Sequence, residues 1–225
     1  MLYNIAMNFL GHAIFTPGPE EVLFGSVAGD FIDTTNPELS PQLKDGLRFH
    51  ANLDAFFSSL PELSQSRKTL YNLVSHFQDP VLDICADHII ASRWDLFFDN
   101  KLEEFAQDIY AVLEPRTSLL TPAGKDIIGR LMKENWLVKY QSKEGLAEGL
   151  ERISRRKRKS AVIYEKIDDI IGRLPIIEKE LSLALPIVKS ETSRYLIELG
   201  YELEPRILVK ERGFLFEGGK HVEKY

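Results

Sequence analysis

Histidine beside aspartate is the recurring chemical pairing in this chain of 225 residues. His50 is followed four positions later by Asp54 in R-F-H-A-N-L-D-A-F. On a helix those two side chains share a face. Asp87 and His88 are adjacent within L-D-I-C-A-D-H-I-I-A, with Asp83 one turn earlier, and Asp30 sits at the end of V-L-F-G-S-V-A-G-D-F. A carboxylate in such apolar surroundings is costly to desolvate without a partner. A divalent cation shared among several of these groups is one such partner. Carboxylate and imidazole donors suit manganese, iron, magnesium or zinc. A metal held there lowers the pKa of bound water and shields phosphoryl oxygens, which is the chemistry of phosphoester hydrolysis. No Ser-His-Asp motif or glycine-rich phosphate loop offers another route.

Each pairing also has a structural reading. Buried His and Asp commonly satisfy hydrogen bonds within a fold. Neighbours such as Asp87 and His88 point about 100° apart on a helix. Spacing alone leaves both readings open. His12 reads as a loop cap ahead of Thr16, and His76 and His221 lack an apolar setting with nearby carboxylates. The single cysteine, Cys85, reads as a small core residue.

The elements that must position these groups read as helices. Pro19 and Glu20-Glu21 precede an apolar stretch from Val22, and Ser40-Pro41 precedes Leu43, Leu47 and Ala51. Leu60-Pro61-Glu62, Asp79-Pro80 and Thr121-Pro122 repeat the device. Proline suits a first helical turn, and acidic groups there complement the helix dipole. Apolar residues then recur at three- and four-residue steps. Residues 100–113 carry a further apolar face. Residues 161–199 read as one long helix or two, with Pro175 and Pro186 as kinks or breaks. The expected fold class is all-α, a helical bundle over residues 1–199. An extension over 200–225 contains Ile207-Leu-Val and Phe214-Leu-Phe, which fit a short β-hairpin or an arm.

Composition bounds the rest. With 44% hydrophobic and 28% charged residues the chain can bury a sizeable core. One cysteine excludes an internal disulfide and any zinc site built on several thiolates. The net charge of -6 argues against nucleic acid as partner. No apolar run approaches the ~20 residues of a membrane span, and the first residues lack a cationic leader. A cytoplasmic protein is expected. One local exception is the stretch Arg152-Ile-Ser-Arg155-Arg156-Lys157-Arg158-Lys159, which packs six cations into eight residues. The rest of the chain holds 22 basic and 34 acidic residues, an acidic body carrying a basic strip.

Several blocks, in order, resemble the acyl-carrier-protein phosphodiesterase family. Met7-Asn-Phe-Leu-Gly-His12 resembles M-N-F-L-A-H, and Gly25 to Phe31, G-S-V-A-G-D-F, resembles G-N-L-L-A-D-F. Gly46-Leu-Arg-Phe-His50 through Leu53-Asp54 resembles G-I-x-L-H-R-x-I-D. Leu82-Asp83 through Asp87-His88 to Trp94 resembles L-D-V-x-F-D-H-F-L-x-x-x-W. The segment Met132 to Tyr140 and the arginine-rich strip follow in the expected order, so the likeness spans roughly residues 7 to 180.

The resemblance implies an all-helical, HD-type metal-dependent phosphohydrolase of fatty-acid metabolism. Its implied reaction hydrolyses the phosphodiester between 4′-phosphopantetheine and a serine of holo-acyl carrier protein. The implied cofactor is manganese, with magnesium or iron as alternatives. Carried onto this chain, Asp30, His50 and Asp87, with His12, become expected metal contacts. Asp54 and His88 become the groups that orient water or protonate the leaving serine. Acyl carrier proteins are acidic, so Arg152, Arg155, Arg156, Lys157, Arg158 and Lys159 become an expected docking strip. A solvated helix face paired with Glu144, Glu148 and Glu151 is the competing account of that strip.

The chain departs from the family pattern at two places. Ala51 stands where the family has arginine after the histidine, and Phe56-Phe57-Ser58 stands where it has F-T-D. A cation and a carboxylate are thereby missing near the implied site. Two alternatives follow: an HD-like hydrolase of another small phosphoester, or a non-catalytic module that binds an acidic partner.

Overall fold

Hydroxyl caps and prolines open the helices where the sequence places them. Ser40 Oγ accepts from the Leu43 amide at 3.0 Å, with Pro41 in the first turn. Thr121 Oγ1 accepts from the Gly124 amide at 3.1 Å ahead of Pro122, and Ser142 Oγ accepts from Gly145 at 3.0 Å. Each such cap satisfies an orphan helix donor and contributes about 1 kcal/mol.

The computed structural model describes residues 9–37 and 39–203. Its helices are α1 (Phe9–Ile14), α2 (Glu20–Val27), α3 (Pro41–Ser59), α4 (Ser64–Val74), α5 (Gln78–Ser92), α6 (Trp94–Phe97) and α7 (Leu102–Leu113). They continue as α8 (Pro122–Lys133), α9 (Trp136–Lys139), α10 (Lys143–Ser154), α11 (Ala161–Glu165), α12 (Ile167–Ile171) and α13 (Leu174–Glu198). The all-α expectation holds: among the described residues there is no strand, only an isolated antiparallel bridge between Ile32 and Leu120. The hairpin or arm expected around Ile207 and Phe214 lies outside the described residues.

At the centre of the bundle runs α5, in which every residue from Val81 to Ala91 is buried. A helix covered on all sides needs an apolar residue at nearly every position, which explains why this segment shows little amphipathic pattern. Helices α1, α4, α9, α10 and α13 pack on it. Three polar members of that run, Asp83, Asp87 and His88, are thereby carried into the interior.

Glycines set the closest helix crossing. A Cβ on Gly25 of α2 would sit 2.8 Å from Gly46 Cα in α3, and one on Gly46 would sit 2.5 Å from the Val22 carbonyl oxygen. The two backbones therefore touch, which brings the end of α2 and the turn Gly29–Phe31 against the middle of α3.

The C-terminal helices correct part of the sequence expectation. Pro175 does not break a helix; it occupies the first turn of α13, where a missing N–H costs nothing. Pro186 lies inside α13, which continues through it. Burial of Leu185 and Val188 on either side supplies the packing that holds the helix together at that point.

Candidate metal centre

Four of the side chains flagged in the sequence meet where α1, α2 and α3 converge. His12 comes from α1, Asp30 from the turn after α2, and His50 and Asp54 from one face of α3. His12 Nε2 lies 3.0 Å from Asp54 Oδ1. His50 Nε2 lies 3.5 Å from both Asp30 Oδ1 and Asp54 Oδ2. The two imidazoles stack, with centroids 4.3 Å apart and planes 22° from parallel. One donor atom each from His12, His50 and Asp54 falls within a mutual span of 4.8 Å.

Ser26 on α2 orients both rings. Its carbonyl oxygen is 2.7 Å from His50 Nδ1 and its hydroxyl is 3.1 Å from His12 Nδ1. Thr16 Oγ1 lies 2.8 Å from that hydroxyl and 2.7 Å from the His12 carbonyl. Gly29 completes the seat, because a Cβ there would come within 2.6 Å of His50 Cγ. Sequence reasoning singled out neither Ser26 nor Gly29. Both lie in the Gly25–Phe31 block, which is the only signal that could have found them.

The tautomer of His50 follows from this geometry. A carbonyl oxygen only accepts, so His50 Nδ1 carries the proton that bonds Ser26. In the neutral ring Nε2 then presents a lone pair to two carboxylates. His50 Nε2 and Asp30 Oδ2 are both buried with no hydrogen-bond partner. Such an arrangement is repulsive until a cation enters it, whether a proton or a metal. The donor set of two imidazoles with flanking carboxylates fits a hard or borderline divalent cation.

Titration follows the same logic. Burial lowers the His50 pKa, but the nearby carboxylates of Asp30 and Asp54 outweigh it, and the net shift is upward. His12 is shifted down, by burial first and then by His50. Burial would raise Asp54, yet its hydrogen bond to His12 and the two imidazoles hold it low. Asp54 is therefore held in its ionised form, a negative charge facing both imidazoles.

The site opens into a cleft of about 390 Å³ lined by Asp30, His50, Ala51, Asp54, Asp79 and Asp83, among others. Asp83, which the sequence reading passed over as a site residue, reaches this cleft from α5. Burial, followed by the charges of Asp54, Asp87 and Asp79, pushes its pKa well above the usual carboxylate range.

Asp87 and His88 do not join the group. Asp87 is fully buried, and its two oxygens accept from the backbone amides of Leu10 and Gly11 at 3.1 and 2.9 Å. These are orphan donors at the start of α1, so Asp87 caps that helix from α5. The residue after Gly11 is His12. Asp87 thus helps place a member of the cluster without reaching the cleft. His88 points its Nδ1 at the Tyr140 carbonyl, 2.7 Å away, and acts as a tether between α5 and the segment after α9.

The basic strip divides into parts. Arg152 lies over the Trp136 ring, 4.0 Å from its centroid, and is mostly buried. Arg155 pairs with Glu151 at 2.6 Å. Arg156 is half-buried, and burial lowers its pKa while the charge of Asp30 opposes that shift. Lys157, Arg158 and Lys159 are exposed.

A profile of the acyl carrier protein phosphodiesterase family matches residues 7–186. The chain belongs to that family. Among curated relatives, the acyl carrier protein phosphodiesterase of Pectobacterium atrosepticum is 28% identical over 167 residues, covering 73% of this chain and 86% of the relative. The protein of that name from Yersinia enterocolitica is 26% identical over 188 residues, covering 82% and 97%. The one from Yersinia pestis is 27% identical over 161 residues, covering 70% and 82%. No solved structure matches at a significant level. Among the described residues, no helix is long and apolar enough to cross a membrane.

Proposed function

We propose that this family member hydrolyses the phosphodiester joining 4′-phosphopantetheine to a serine of holo-acyl carrier protein. Water adds its oxygen to phosphorus, the P–O bond to the serine breaks, and the serine oxygen leaves with a proton as apo-carrier protein. The observation that carries this reading is the meeting of His12, Asp30, His50 and Asp54 beside a cleft, with His50 Nε2 and Asp30 Oδ2 buried and unpartnered.

A divalent ion, manganese first and magnesium or iron next, would rest on His12, His50 and Asp54, with Asp30 beside them. When bound it supplies charge neutralisation at the phosphoryl group and activation of water. The protein does the positioning. Ser26 fixes both ring orientations and Gly29 lets α3 approach. Asp54 borders the cleft in its ionised form, a charged donor for such an ion. Arg156, within electrostatic reach of Asp30, offers the phosphate a cation where Ala51 offers none.

Lys157, Arg158 and Lys159, with Arg155, form the part of the strip available to steer an acidic carrier protein. The reading places the protein in the cytoplasm, a compartment in which a lone thiol such as Cys85 stays reduced.

The test is to incubate the protein with holo-carrier protein and manganese, then weigh the carrier by mass spectrometry. Loss of the phosphopantetheine mass supports the proposal, and Asp30→Ala should abolish it while leaving the fold intact. Ala51 and Ser58 both line the cleft where the family pattern has a cation and a carboxylate, which motivates a different small phosphoester as the second reading. An unchanged carrier mass together with cleavage of generic diesters would select that reading.

A further inference from the structure

A second groove lies on the other side of α3, between it and α13. It has a volume of about 370 Å³. Its apolar wall is made by Phe49, Leu53, Phe56 and Tyr195, with the Phe49 and Tyr195 rings 5.9 Å apart. Asn52 and Glu191 give it a polar rim.

The two hollows share a boundary. Successive residues on a helix turn by about 100°, so His50, Ala51, Asp54 and Ser58 face the metal cleft while Asn52, Phe56 and Ser59 face the groove. Ala55 alone lines both. It is exposed, and its side chain is a single methyl, so the divide between the two is low.

We propose that this groove is the subsite for the phosphopantetheine arm and any acyl chain that it carries. The inference rests on the hydrolase reading above and adds where the phosphopantetheine side of the diester lies. With the phosphodiester beside His50 and Asp54, an arm crossing Ala55 enters a hollow whose chemistry matches its own. The arm's amides meet Asn52 and Glu191 at the rim. Its methyl groups and acyl chain meet Phe49, Leu53, Phe56 and Tyr195. Pockets of this kind, mostly apolar with a few polar groups at fixed points, are the usual form of a small-molecule site.

The test compares wild type with Asn52→Trp, which fills the groove from an exposed position, and Phe56→Ala, which empties part of its wall. Each is assayed with manganese on holo-carrier, on octanoyl-carrier and on bis(4-nitrophenyl) phosphate. In wild type, KM should fall about three- to fourfold for each acyl methylene the groove buries. Asn52→Trp should lower kcat/KM on both carriers at least tenfold relative to the small diester. In a metal-free titration, octanoyl-pantetheine should bind wild type and bind the tryptophan variant at least tenfold more weakly. Phe56→Ala should flatten the chain-length dependence. Equal losses on carrier and diester, no chain-length dependence, or equal binding by wild type and Asn52→Trp would each overturn the assignment. If wild type releases no arm from any carrier, the hydrolase reading itself has failed, and that is visible before any groove variant is measured.

Discussion

Replacing Asp87 with asparagine separates two roles for the most deeply buried carboxylate among the described residues. Asp87 accepts from Leu10 N at Oδ2 and from Gly11 N at Oδ1. Asparagine keeps one acceptor and turns an NH₂ group towards the other amide, so one buried donor at the start of α1 loses its bond. An unsatisfied buried donor costs about 1–3 kcal/mol. Burial pushes the Asp87 pKa upward against the pull of the two amides, so the uncharged side chain recovers part of that cost. For a chain of this size, about 1–3 kcal/mol corresponds to a fall in Tm of roughly 2–12 °C, with the lower half expected. Alanine would lose both bonds, roughly 2–6 kcal/mol against a total stability of about 5–15, which makes it a poor probe. The assay is thermal unfolding of metal-stripped Asp87→Asn together with a manganese titration. The expected result is a lowered Tm, retained metal stoichiometry and weakened affinity, because His12 follows directly on the loosened amides. A variant that melts with wild type and binds no metal would show that Asp87 ligates directly, and the capping argument would be refuted.

Other expectations follow from the same geometry. Gly29→Ala puts a Cβ 2.6 Å from His50 Cγ; manganese affinity by titration calorimetry should drop at least tenfold, and wild-type affinity would refute the seating role. Arg152→Ala removes a cation stacked on Trp136 and should cost about 0.5–2 kcal/mol in urea unfolding. By contrast, Lys157→Glu with Arg158→Glu should leave stability within about 0.5 kcal/mol while weakening carrier binding in a salt-dependent way; the reverse pattern would remove the docking role. His88 is held below its ordinary pKa of about 6.5 by burial first, with Lys143 and Arg93 adding to it against the Tyr140 bond. The unfolded chain therefore takes up a proton near pH 6.5 that the folded chain refuses, so stability is full above that pH and falls below it. His88→Gln should flatten the fall between pH 7 and 5.5, and identical slopes would contradict it.

The helices were legible because their start signals are local: Ser40-Pro41 and Thr121-Pro122 cap helices whatever the rest of the chain does. Pro186 resisted reading because its position inside α13 is tolerated by tertiary packing, which no local signal records. His50 with Asp54 was visible as one face of one helix. The contact from His12 to Asp54 spans 42 residues, and Ser26 serves both rings through a crossing that two glycines permit. Neither has a local signature.

The hardest distinction was between Asp30 and Asp87. Both are carboxylates in apolar runs, and the sequence treats them alike, because burial demands a neutralising partner without naming it. The structure separates them by counting oxygens already used. Asp87 has both occupied by amides, whereas Asp30 Oδ2 is buried with nothing to bond. A buried carboxylate whose oxygens are both occupied has completed its work within the fold. One with an oxygen left over, beside an imidazole, still has charge that a cation, whether a proton or a metal, can meet. The basic strip divides by the same criterion: Arg152 has its partner in Trp136, while Lys157, Arg158 and Lys159 present their charge to solvent.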